Sequence, residues 1–148
     1  MADGFIESFA SRLQNSNINE VSVIKNSTPL ESGKIYICEA DVKLEINSLT
    51  FTKEKSAINT FNPSIDTIFN SFAGLHKGFE IMSIILTGIG NDGVKSCINL
   101  QKHGAVCITE SQDSAIIDGM PKSARESVPD IKAYDIQKIV KTVSEFCQ

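Results

Sequence analysis

The chain has 148 residues, 41% hydrophobic and 22% charged, with 14 Lys and Arg against 18 Asp and Glu. That length fits one domain with its own apolar core, and the net charge of −4 excludes a sequence-independent grip on nucleic acid, which needs a basic surface. The longest strongly apolar stretch, Ile81 to Leu86, is far short of the ~20 residues that cross a bilayer, so membrane insertion is not expected.

In chain order, Asp3 is placed to cap a helix carrying Phe5, Ile6, Phe9 and Leu13 on one face, which the Asn-rich segment Asn15–Asn19 ends. Short strands are expected over Val21–Ile24, Lys34–Cys38 and Val42–Ile46, with a turn at Glu31-Ser32-Gly33. Leu49-Thr50-Phe51-Thr52 alternates with period two and should form a hairpin with the strand before it. A loop, Lys53–Thr60, leads to Asn62-Pro63, read as a helix start with Pro at the first helical position. Ile65, Ile68, Phe69 and Phe72 then recur at helical spacing until Gly74. Ile81–Leu86 and Ala105–Thr109 are apolar runs that fit strands covered on both faces. Between them lie the Gly-rich segment Thr87–Gly93 and a helix with Val94, Cys97, Ile98 and Gln101 along one side, closed by Gly104. Pro121 and Pro129 are read as shaping loops, and Asp135 as the cap of a last helix with Ile136, Ile139, Val140 and Val143 facing inward. Tyr36, the Phe residues and the Ile stripes are assigned to the core. Strand, loop, helix and strand make a right-handed β-α-β unit, so the fold class is α/β with a parallel sheet.

The four cysteines, Cys38, Cys97, Cys107 and Cys147, contain no C-x-x-C pair and no metal-ligand spacing. They read as reduced thiols of a soluble cytoplasmic domain, with no metal and no redox motif. No basic patch followed by an apolar run marks a secretory leader.

The chemistry concentrates in Leu86-Thr87-Gly88-Ile89-Gly90-Asn91-Asp92-Gly93, at the carboxyl end of a parallel strand, where open α/β sheets bind ligands. Gly88, Gly90 and Gly93 match G-x-G-x-x-G, and Glu110 follows at about the ~20-residue distance of a ribose contact. Asp92 opposes this dinucleotide reading: it stands at the helix N-terminus, where a pyrophosphate would bind, and like charges there repel. No cofactor is therefore expected. The same position favours an ionised carboxylate. Such a group suits the orienting member of a Ser-His-Asp triad, although a plain helix cap is the commoner role of Asp there. Of the two histidines, His103 lies at the far end of the helix that Asp92 begins, roughly 15 Å away. His76 precedes the strand and should emerge roughly 20 Å off, at the opposite sheet edge. Neither is expected to partner Asp92, and no Ser has a nucleophile-elbow context.

The segment Ile84–Ala124 resembles the catalytic domain of the chemotaxis protein-glutamate methylesterase family, CheB. Leu86–Gly93 is similar to that family's L-T-G-M-G-x-D-G, Gly104-Ala105 to a Gly-Ala strand start, and Gly119-Met120-Pro121 to an F-G-M-P-like stretch. Upstream, Gly4-Phe5 through Leu13, Tyr36-Ile37 and Asn62-Pro63-Ser64-Ile65-Asp66 resemble its first helix, its Y-I-A-P-G-D strand and its R-P-S-V-D helix start. The resemblance covers nearly the whole chain as one partial methylesterase domain, residues 1–148. It implies a Rossmann-like parallel sheet with helices on both faces plus a β-hairpin insertion, incomplete at its N-terminus.

It further implies hydrolysis of γ-glutamyl methyl esters on the cytoplasmic helical region of chemoreceptors. Asp92 would be the orienting acid, and the Ile89 N–H, in the Gly88–Gly90 turn, an oxyanion donor. The family's Ser lies in G-A-S-T-G-G and its His in Q-H-M. If Met1 is that Met, both lie upstream, so this chain alone is expected to be inactive. The family's phosphorylation-controlled receiver domain has no counterpart in these residues either. Glu39-Ala40 stands for Pro-Gly, Lys43 for a His and Asn62 for an Arg. A shortened, inactive receptor-binding module and, further off, a dinucleotide-binding enzyme using Gly88, Gly90 and Gly93 are the alternatives.

Overall fold

The computed structural model describes residues 4–54 and 62–148. The described residues cluster into two compact units, divided between Ser71 and Phe72.

The first unit begins with α1 (Phe5–Asn15). Asp3 lies outside the described residues; the cap position is Gly4, at φ 80°, and its side-chain-free backbone makes no capping bond of the Asp type. Only Ile6 of the expected apolar face is buried, while Phe5 and Phe9 are half exposed and stack on each other at 6.0 Å between ring centroids. Strand β1 (Glu20–Ile24) pairs in parallel with β3 (Lys34–Cys38), setting Ile24 opposite Cys38. The expected hairpin forms from β4 (Val42–Glu45) and β5 (Thr50–Lys53), antiparallel, with Leu44 opposite Phe51. A two-residue strand, β2 (Thr28–Pro29), adds to β5. It escapes pattern reading because two residues have no period. Val42, Leu44, Phe51 and Ile24 form this unit's core, each at 4% exposure or less.

The next helix starts later than Asn62-Pro63 suggests. Helix α2 is Ile65–Phe72, and Ser64 is its cap: the Ser64 Oγ accepts from Thr67 N at 3.3 Å. The buried Asp41 carboxylate accepts from Ser64 N at 2.7 Å. Pro63 therefore lies before the cap, in a cis peptide with Asn62. Lys53 belongs to β5, and the rest of the expected Lys53–Thr60 loop lies largely outside the described residues.

The second unit opens with a 3₁₀ turn over Ala73–Lys77, so the chain coils on through Gly74. It then builds the β-α-β unit: β6 (Met82–Ile85), α3 (Val94–Lys102) and β7 (Val106–Glu110), with β6 and β7 parallel and Ile84 opposite Ile108. The inner face of α3 is Val94, Ser96, Cys97 and Leu100; Ile98 and Gln101 are only half-buried. The helix is thus rotated from the expected stripe, which seats the small Ser96 and Cys97 against the sheet.

Two further elements go beyond the sequence expectation. Gly119-Met120-Pro121 opens a helix, α4 (Gly119–Ser127). A proline is tolerated in the first turn because its missing N–H has no partner there to lose. Lys132–Tyr134 is β8, an edge strand parallel to β7. Helix α5 (Ile136–Phe146) begins as expected, with Asp135 Oδ1 accepting from Lys138 N at 2.7 Å. Its buried face narrows to Ile139, since Ile136 and Val140 are exposed. Phe79 is likewise half exposed, and Tyr36 is half-buried, so the aromatic residues are not uniformly core. Around β7 the core is Ile85, Leu100, Ile108, Cys97 and Ala124, all at 2% exposure or less. Burial contributes about 1.5–3 kcal/mol per large aliphatic side chain. The described residues thus make a mixed α/β structure with parallel strands in each unit.

Candidate functional site

Strand β6 ends at Ile85, and its parallel pairing with β7 delivers the Leu86–Gly93 loop to the carboxyl edge of the sheet. Gly90 and Gly93 hold φ of 100° and 92°, left-handed values that side-chain-bearing residues adopt only with strain. Gly93 is the cap of α3, so Asp92 sits one residue before it, at the positive end of the helix. Asp92 is 7% exposed, and the structure thus buries the carboxylate that the sequence singles out.

The loop is tied down by the segment that follows β7. Gly88 N donates to Ile117 O at 2.9 Å, and Met120 N donates to Gly88 O at 2.8 Å. The Thr87 hydroxyl donates to Ile117 O and accepts from Ile117 N at 2.7 Å. Ser123 Oγ donates to Gly90 O at 3.3 Å. Two glycines permit this close approach. A Cβ on Gly88 would lie 2.5 Å from the Met120 sulfur, and one on Gly119 would lie 2.8 Å from Gly88 O. Gly119-Met120-Pro121 therefore borders the loop by packing, a role that its chemistry alone does not require.

Glu110 is engaged within the chain. It is 5% exposed, and its two carboxylate oxygens accept from Thr87 N at 3.0 Å and from the Ser114 hydroxyl at 2.8 Å. It is an anchor for the start of the loop. Arg125 extends this anchor: Nη1 donates to Glu110 O at 2.8 Å and Nη2 to Asp118 Oδ2 at 2.6 Å. Neither role carries a sequence signal beyond composition, because Glu110 meets Thr87 across 23 residues and Arg125 meets Glu110 and Asp118 across 15 and 7.

Ile89 points outward at 79% exposure, and among the described residues its N–H makes no hydrogen bond within the chain. Leu86, Ile116 and Ile117 are also exposed, giving the loop an apolar rim. His76 and His103 lie together, ring centroids 5.2 Å apart, at the amino ends of β6 and β7. Both lie at the sheet edge opposite the Asp92 loop. A cleft of about 430 Å³ lies at that edge, and another of about 580 Å³ lies beside Ser111, Tyr134 and Asp135. Among the described residues no group of three or more potential metal ligands occurs, and no helix is long and apolar enough to cross a membrane.

A buried acid held by a pinned Gly-rich turn, at the carboxyl edge of a parallel sheet, defines the class: an α/β domain with a pinned loop at its β6–α3 junction. Residues 1–143 match the family model described as CheB methylesterase, and the chain belongs to that family. A protein-glutamate methylesterase/protein-glutamine glutaminase of Caldanaerobacter subterraneus subsp. tengcongensis is 30% identical over the whole of this chain and 43% of its own length. One from Clostridium acetobutylicum is 33% identical over 95% of this chain and 43% of its own. The chain thus spans about two-fifths of these curated relatives. The crystal structure of the Thermotoga maritima CheB methylesterase catalytic domain superposes with a TM-score of 0.84 at 26% identity, covering 99% of this chain and 79% of that one.

Proposed function

We propose that residues 1–148 act as the Asp-bearing part of one protein-glutamate methylesterase domain in the cytoplasm, acting on the helical region of chemoreceptors. The observation that carries this reading is the placement of Asp92, buried at the positive end of α3 in a loop pinned by the segment after β7. In the mechanism, a Ser attacks the γ-glutamyl ester carbonyl while a His takes its proton, methanol leaves, and water releases the acyl group. Asp92 would hold that imidazole in one tautomer and stabilise its protonated form. The Ile89 N–H would donate to the oxyanion, and the Ile89, Ile116 and Ile117 rim would rest on the receptor helix. The Ser and His of this mechanism come from outside these 148 residues, because neither the G-A-S-T-G-G nor the Q-H-M pattern occurs within them.

The test is methanol release from a methylated chemoreceptor, by the chain alone and after adding a segment that carries those two motifs. The chain alone should release none, and the complemented chain should be active. Asp92→Asn should then lower turnover by roughly 10⁴-fold, as loss of the orienting acid does in triads. Full activity in Asp92→Asn would remove the proposed role.

A further inference from the structure

The chain contains two histidines, and the fold brings them together although they are distant in sequence. His76 lies in the 3₁₀ turn, and its Nδ1–H donates to Ala73 O at 2.8 Å. His103 follows the last turn of α3, and its Nδ1–H donates to Asn99 O, also at 2.8 Å. A carbonyl can only accept, so in each neutral ring the proton sits on Nδ1 and the lone pair on Nε2. Metal-bound histidines share this arrangement: one ring nitrogen donates to a backbone carbonyl, which fixes the tautomer and leaves the other as ligand.

The spacing agrees. Two imidazoles on one tetrahedral Zn²⁺, each bound at ~2.0–2.1 Å, have ring centroids about 5 Å apart. Here the centroids are 5.2 Å apart, with the planes tilted by 46°. Both rings line the cleft of about 430 Å³, with Glu80 and Phe79 on its wall, so a hydrated cation has room and an acidic neighbour.

We propose that His76 and His103 together form a cation site for a borderline divalent metal of the Zn²⁺ type, bound through both Nε2 atoms. Imidazole pairs suit such ions rather than Mg²⁺ or Ca²⁺, which take oxygen ligands. With no third His, Cys, Asp or Glu completing a cluster among the described residues, water fills the remaining coordination positions. The site lies across the sheet from Asp92 and uses no residue of the proposed esterase machinery.

The experiment is titration of the chain with Zn²⁺, followed by calorimetry and by the ¹⁵N spectrum of the two imidazoles. Both Nε2 resonances should move together and saturate at one Zn²⁺ per chain, while Mg²⁺ moves neither. His76→Ala and His103→Ala should each weaken binding by roughly 100-fold, the loss expected when a two-point attachment becomes one-point. The double variant keeps neither imidazole and should show no binding at this site. Asp92→Asn should bind as the parent does. Absence of binding, movement of only one ring, or parent-like affinity in either single variant would overturn the site. The spectral titration uses the unaltered chain and so does not depend on the folding of a variant.

Discussion

Replacing Gly119 by Ala tests whether contact with Gly119 holds the Asp92 loop in place. The added Cβ would stand 2.8 Å from Gly88 O, 3.3 Å from Ile89 Cα and 3.4 Å from Gly90 N. All three are backbone atoms, so no rotamer change relieves the contact and the loop itself must move. Overpacking of this kind costs about 1–3 kcal/mol. Loss of the Met120 N to Gly88 O hydrogen bond would add about 1 kcal/mol. Against this, Ala in place of Gly in a helix returns about 0.5–1 kcal/mol. The net expectation is a destabilisation of about 1–3 kcal/mol. With a urea slope of about 1–3 kcal/mol per molar, the midpoint falls by roughly 1 M. Gly88→Ala is the informative contrast. Its Cβ would meet the Met120 sulfur at 2.5 Å, the far end of a flexible side chain. Met120→Ala should therefore rescue Gly88→Ala and leave Gly119→Ala unrescued. Hydrogen exchange at the Gly88 and Met120 amides reports the loop directly. Parent-like stability and amide protection in Gly119→Ala would refute the reasoning.

Two further expectations concern Arg125 and Cys38. Arg125→Lys keeps the charge but cannot bond Glu110 O and Asp118 Oδ2 at once. It should cost about 1–2 kcal/mol in urea unfolding, mostly as lost charge-assisted hydrogen bonding, and an unchanged midpoint would count against the bridge. Burial pushes the Cys38 thiol up from its ordinary 9.0 to about 11. Between those values the unfolded chain has lost a proton that the folded chain retains. Stability should therefore fall as pH rises from about 9 to about 11 and level off beyond. Cys38→Ala should flatten that slope, measured as urea midpoint against pH; the same slope in the variant would exclude this thiol as its source.

Legibility follows the range over which each signal acts. The Gly-rich turn, the Asp135 cap and the β4–β5 hairpin are readable because their determinants lie within a few residues of one another. Helix α4 is obscured because Gly119 and Pro121 suggest a loop, whereas Pro121 occupies the first turn, where it costs no hydrogen bond. Strand β8 carries no periodic signal and exists through backbone pairing to β7. The stripe expected for α3 differs from the buried one for a related reason. Spacing alone admits both the Val94-Cys97-Leu100 face and the Val94-Cys97-Ile98-Gln101 face, and packing selects the first.

By itself, the sequence determined the α/β class, the loop between β6 and α3, and the distinction of Asp92 as a carboxylate at a helix start. These are local matters of hydrophobic period, glycine conformation and charge at a helix end. Only the tertiary structure decided that Glu110 and Arg125 anchor this loop, that Gly119 abuts it, and that His76 meets His103. Such contacts join residues far apart in the chain, and they exist only once the parallel strands have been brought into register.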